Sequence, residues 1–148
     1  MTETITRHDP RLAAWRTFLR AHTRVVRELE RELQANRGMA LTDYDVLVQL
    51  AAAEERRLRM SELADALLLS RSGVTRLVDR LVADGMVERI TCESDRRGQW
   101  ASLTDAGYQR LRDATPTHLE GVREHFLDRL SAGELAQLQR MLDRVVAD

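Results

Sequence analysis

The sequence predicts a mainly α-helical fold with a small β-wing, and three observations carry that reading. At both ends, apolar residues recur at alternating spacings of three and four over long stretches. Between Met60 and Asp84 the same periodicity falls into two short helices in succession. Directly after them, Met86 to Cys92 and Gln99 to Leu103 read as two strands around an acidic, arginine-rich turn, E-S-D-R-R-G-Q. At 148 residues the chain fits one domain, or one small module with helical extensions, and is large enough to bury a core.

Each element has a local reason. Asp9-Pro10 pairs a capping carboxylate with a proline suited to a first turn, and predicts the start of a long helix. Leu12, Trp15, Leu19, His22, Val26, Leu29 and Leu33 form one seam along it, widened by Phe18 and Val25. It should stop at Asn36-Arg37-Gly38, where glycine supplies a left-handed cap. Such a helix extends roughly 40 Å, more than a small module needs for its own core, and invites a partner subunit. Thr42 is expected to open the next helix, with Asp45 completing a near capping box and Val46, Leu47 and Leu50 facing inward. A polar run, Glu54 to Arg57, makes a loop leading into a short strand at Arg57-Leu58-Arg59.

Ser61 should cap the first helix of the central pair, packed by Leu63, Ala64, Leu67 and Leu68. Ser70 should cap the second, which ends at Asp84-Gly85. After the hairpin, Thr104-Asp105-Ala106-Gly107 starts a helix carrying Leu111, His118, Val122, His125 and Phe126, with Pro116 as a candidate kink. Ser131 and Glu134 form a capping box for a last helix whose seam is Leu135, Leu138, Leu142 and Val145. Three regions follow: an N-terminal dimerisation helix (1–40), a winged helix-turn-helix (41–104) and C-terminal dimerisation helices (105–148).

Composition narrows the function classes. No apolar stretch approaches the ~20 residues that span a bilayer, and the N-terminus has no basic start with an apolar core behind it. A lone cysteine, Cys92, forms no internal disulfide, which suits a reducing compartment, so a cytoplasmic location is expected. Net charge is −1, so any contact with nucleic acid must come from a local patch. All 23 basic residues are arginine, a bias that genome composition explains as readily as selection for bidentate contacts. No nucleophile arrangement or phosphate-binding glycine loop is present, and no enzyme, cofactor or metal site is expected. His118 and His125, seven apart, lack the closer spacing and further ligands of a metal site.

The second central helix carries the functional signal. Val74, Leu77, Val78, Leu81 and Val82 share one face, and Ser72, Thr75, Arg76 and Asp79 the other. A helix anchored behind and polar in front is suited to enter a DNA major groove, with the hairpin as a wing on the backbone or minor groove.

In order and spacing, S-E-L-A, S-x-x-x-T-R-L-V-D-R-L, G-M-V-E-R, D-R-R and L-T-x-x-G resemble the MarR family of bacterial transcription regulators, over about Leu12 to Val146. The resemblance implies a homodimer of intertwined terminal helices that binds double-stranded DNA at a pseudo-palindromic operator. By the same resemblance it is expected to repress by default and to be released by a small phenolic, aromatic or anionic effector. The resemblance further implies that Arg71, Ser72, Thr75 and Arg76 face the groove, with Asp95, Arg96 and Arg97 at the wing tip and Arg97 in the minor groove; Ser70, at the start of that helix, and Arg80, as a phosphate contact, complete the DNA-binding candidates. Two features depart from the family: Glu93, Ser94 and Asp95 precede the wing arginines, and Trp100 stands where many members place a smaller or charged residue. The rival readings are a DNA-binding regulator without an effector and a helical interaction protein without DNA binding.

Trp15, Phe18, His22 and Tyr44 are candidates to line an effector cleft, against plain core packing. Asp45, Arg76 and Arg89 are similar to the corresponding positions of a urate-responsive branch, whose additional N-terminal helix is not seen here; ion pairing of Arg89 with Asp45 or Asp84 is the favoured reading.

Overall fold

The computed structural model describes residues 4–91 and 98–148. In order come α1 (Leu12–Arg37), α2 (Leu41–Ala52), β1 (Arg57–Arg59), α3 (Met60–Leu67), α4 (Arg71–Ala83), β2 (Val87–Thr91), β3 (Gln99–Leu103), α5 (Asp105–His125) and α6 (Ala132–Val146). Backbone packing divides the chain into two units, Glu32–His118, and Met1–Arg31 with Leu119–Asp148.

The central unit is a helix-turn-helix with a three-stranded antiparallel sheet in the order β1-β3-β2. β3 lies between its neighbours with Trp100 opposite both Arg59 and Ile90. Its core is drawn from α1 to α4, β2, β3 and α5: Leu33, Val46, Leu47, Leu50, Leu63, Val74, Val78, Leu81, Val87, Ala101 and Ala114 are almost wholly buried. α1 ends where the sequence predicts, with Gly38 at φ +60° and its N–H donating to the carbonyl of Gln34. Between α2 and β1, Glu55 and Arg56 both take positive φ, and the Arg56 guanidinium lies 3.9 Å over the Tyr108 ring.

Four local expectations are corrected. α2 starts at Leu41 behind Ala40, without a side-chain cap, so Thr42 and Asp45 lie inside the helix. α3 likewise starts at Met60 behind Arg59, and Ser61 caps nothing. Leu68, expected to pack, is the left-handed C-cap of α3 at φ 55° and is 93% exposed, because reversing the chain into α4 turns its side chain outward. Val82, at the edge of the buried stripe of α4, is exposed.

In the other unit, residues 13–24 of α1 are all exposed, between a half-buried Leu12 and a half-buried Val25. α6 begins with the predicted capping box, in which Ser131 Oγ accepts from Glu134 N–H and the Glu134 carboxylate accepts from Ser131 N–H. No residue of α6 is buried. Trp15, Phe18, Leu19, Leu119, Met141, Val145 and Val146 all stand exposed.

Candidate nucleic-acid interface

α4 is held by its ends, its back and two ion pairs. Ser70 Oγ accepts from Gly73 N–H at 3.1 Å, fixing the N-terminus, and Gly85 at φ +76° releases the chain beyond Asp84. Val74, Leu77, Val78 and Leu81 are buried, while Arg71, Ser72, Thr75 and Arg76 are all exposed. At 13 residues the helix is about 20 Å long. It therefore presents a polar face that a major groove, ~12 Å wide, can admit.

Arg80 pairs with Asp43, tying α4 to α2. Arg89 on β2 places Nη2 2.7 Å from Asp79 of α4, and its Nη1 donates to Gln99 Oε1 at 2.9 Å. Its Nε is buried with no partner among the described residues. The partner of Arg89 is thus Asp79, one helical step beyond Thr75 and Arg76, and not Asp45 or Asp84. Periodicity already puts Asp79 on the polar face of α4 but does not give its pairing with Arg89, and Asp43 carries no sequence signal because its pairing depends on how α2 crosses α4.

A hollow of about 530 Å³ adjoins this face, lined by Arg59, Ser61, Arg71, Thr75 and Gln99 among others. Trp100 is half-buried, with the guanidinium carbons of Arg57 and Arg59 lying 5.0 and 5.2 Å from its ring centre. The wing-tip candidates Asp95, Arg96 and Arg97, and Cys92 with them, lie outside the described residues.

The effector candidates are distributed between the units. Trp15 and Phe18 stack at 6.2 Å on α1, and His22 is exposed on the same helix. Tyr44 is buried in the central unit, its ring 4.4 Å from that of His118 and its hydroxyl donating to Thr115 Oγ1 at 3.3 Å. Asp45 and Arg76 are exposed on α2 and α4.

Burial pushes the His118 imidazole below its ordinary pKa, and its Nδ1 is buried with no partner among the described residues. The unfolded chain binds this proton more readily than the folded one. Stability is therefore full above the ordinary histidine pKa of 6.5 and declines as pH falls through and below it. Chemical denaturation between pH 7.5 and 5 should show that decline, and His118→Gln should flatten it; an equal slope in both proteins would remove His118 as the cause.

The sequence model of the MarR family matches residues 37–98. The structure of AbsC, a MarR family transcriptional regulator from Streptomyces coelicolor, superposes with a TM-score of 0.87 at 38% identity, over 97% of this chain and 95% of that one. This chain belongs to the MarR family. A second Streptomyces coelicolor member, Sco3205, solved in complex with DNA, matches with a TM-score of 0.90 at 38% identity, over 98% of this chain and 91% of that one. The transcriptional repressor MprA of Escherichia coli K12 is 29% identical over 132 residues, 84% of this chain and 74% of its own length. This MarR-family chain is accordingly a DNA-binding transcriptional regulator and not an enzyme. No helix among the described residues is long and apolar enough to cross a membrane.

Proposed function

We propose that this MarR-family protein represses transcription as a homodimer on a pseudo-palindromic operator, and that a small aromatic or anionic effector releases it. The observation that carries the reading is the two-faced α4, with four core residues behind and Arg71, Ser72, Thr75 and Arg76 exposed in front. Ser70 sets the helix N-terminus at the DNA, and Arg80, paired with Asp43, holds its angle of approach. Asp95, Arg96 and Arg97 serve the wing contact, with Arg97 in the minor groove. The likeness to a relative solved with DNA supports this arrangement. Two such helices related by a twofold axis would meet half-sites about 34 Å apart.

The test is binding to the intergenic DNA upstream of its own gene, against unrelated DNA, at two salt concentrations. Arg71→Ala and Arg76→Ala are each expected to weaken selective binding by about 1–3 kcal/mol and to relax preference at one base pair of each half-site. Unchanged affinity in both variants would displace the recognition face from α4.

The effector half is tested by titrating phenolic acids into the complex. A ligand releases DNA only by the difference in its affinity for the two states of the dimer, so a true effector must also bind more weakly once operator is present. Trp15, Phe18, His22, Tyr44, Asp45 and Arg89 are the positions to substitute. Operator affinity unmoved across the panel would favour the regulator without an effector.

A further inference from the structure

We infer that the polar side of α1 is a second DNA site, in which the row Arg16, Arg20, Arg24 and Arg27 binds the phosphate backbone of a duplex other than the one held by α4, whatever its sequence. The inference goes beyond the reading of α4 and uses it only to supply the first duplex in the assay below. It starts from charge. Between Asp9 and Glu28 the chain carries five arginines and no carboxylate, although the whole chain is −1. Arg11, the first of the five, is held by Asp9. The other four recur at spacings of four, four and three, so α1 sets them in one row about 16 Å from end to end. All four are exposed. Arg16 donates from Nη2 to the Arg7 carbonyl at 3.1 Å, a bond that leaves its charge in place. Arg20, Arg24 and Arg27 form no ion pair with another of the described residues, and Glu28, the first carboxylate beyond the row, is bonded to Arg31 at 2.9 Å.

The row is distinct from the apolar seam of the same helix. At 100° per residue it lies roughly 125° around α1 from Trp15, Leu19, His22 and Val26, so pairing with a second copy through that seam would leave the row outside. Nor does the terminal segment of a second copy bring much counter-charge: residues 119–148 hold six acidic residues against four arginines, and Glu120 and Asp128 are already paired with Arg123. A line of planar guanidinium groups fits a line of phosphates, and Thr17 and Thr23, which border the same hollow of about 740 Å³ as Arg20, Arg24 and Arg27, add hydroxyl groups able to donate to them. The row is longer than a major groove is wide, ~12 Å, so its ends can meet both backbones that border one. DNA is the polyanion that a transcription regulator meets. With Arg80 and Arg89 paired with Asp43 and Asp79, α4 and its sheet have less free charge with which to attract it, and a separate patch supplies that sequence-independent attraction. The row belongs to the unit of Met1–Arg31 and Leu119–Asp148, and α4 to Glu32–His118, so the two sites are carried by different units.

The assay saturates a surface-bound duplex, selected by the full chain from random-sequence DNA, with the protein, washes away the excess and adds a labelled duplex of unrelated sequence. The parent is expected to hold the second duplex with an affinity that falls about 10²-fold between 50 and 200 mM salt, as four phosphate contacts require. Arg20→Glu combined with Arg27→Glu should weaken that capture by about tenfold or more and leave the Kd for the selected duplex within about twofold, since glutamate keeps the helix and reverses only the row's charge. Arg20→Lys combined with Arg27→Lys keeps the charge and should keep most of the capture. No capture by the parent, or equal capture by the glutamate variant, overturns the site. Capture lost only in step with affinity for the selected duplex puts the row on that duplex and overturns the second site. Retention of a labelled poly-glutamate chain but of no second duplex replaces DNA with an acidic protein as the occupant and overturns the inference as stated. A parent that selects no duplex refutes the reading of α4 instead, and the row is then judged by binding of the unrelated duplex to the free protein and to its glutamate variant.

Discussion

Gly107→Ala is expected to destabilise the protein by about 2 kcal/mol or more, although helix propensity alone would make it stabilising by about 1 kcal/mol. Gly107 lies in the first turn of α5, where a Cβ would overlap the carbonyl oxygen of Met86 and stand 2.8 Å from Leu103 Cδ1. The oxygen cannot move aside, because it accepts from Thr104 N–H at 3.1 Å. Thr104 also accepts from Gly107 N–H at 3.0 Å and donates to the carbonyl of Gly85 at 2.7 Å, so α5, the end of β3 and the turn after α4 are fastened at one point. Loosening it would free the C-terminal end of α4, and operator affinity should fall with stability. Gly133→Ala is the control: it is also helical, with nothing nearer than 4.0 Å to an added Cβ, and should gain rather than lose. Urea denaturation at one fixed protein concentration reads both. A stabilised Gly107→Ala would mean that α5 does not approach Met86 so closely.

That glycine also shows where sequence reasoning ends. Its place in L-T-x-x-G was legible, but the reason for it is a close approach of backbone from the turn after α4, which no local pattern encodes. The caps at Ser70 and Ser131, the stops at Gly38 and Gly85 and the two faces of α4 were legible because each depends on residues within a few positions. Ser61 and Thr42 failed as caps for the complementary reason: the chain enters α3 directly from β1, and α2 from Met39-Ala40, so tertiary packing rather than a side chain starts each helix. Leu68 failed because apolar periodicity continues through a residue that the tight turn places in a left-handed conformation. At the candidate site, the exposed row from Arg71 to Arg76 followed from periodicity. The partners of Arg80 and Arg89 depended on which elements cross α4, and sequence spacing left those open.

The anchoring of α4 bears on regulation as well as on binding. Asp43–Arg80 joins the helix to α2, and Asp79–Arg89 joins it to β2. These side chains are largely exposed to solvent, except for Asp43 and part of Arg89, so each pair contributes modestly to stability and mainly selects one orientation. A small change in α2 or the sheet would thus reach the reading face through contacts that can exchange partners at little cost.

Leu19→Glu combined with Val145→Glu is expected to give a folded monomer whose operator affinity is lower by about 10²- to 10⁴-fold. Leu19 lies with Trp15 on one face of the exposed half of α1, and Val145 is 81% exposed near the end of α6. Glutamate has good helix propensity and neither side chain is buried in the single chain, so both helices should survive the change. What it removes is the exposed apolar surface of residues 13–24 and α6, which on the proposed dimer would meet a second copy, replacing it with charges that would have to be buried unpaired. A dimer holds its second reading helix beside the second half-site at millimolar effective concentration, and separation of the subunits forfeits that advantage entirely. Sedimentation gives the assembly state, circular dichroism the helix content, and titration of a full operator against an isolated half-site gives the affinity. A variant that stays dimeric would move the interface elsewhere. A monomer that binds the full operator as tightly as the parent would show that each subunit reads DNA alone, and that the terminal helices serve some other partner.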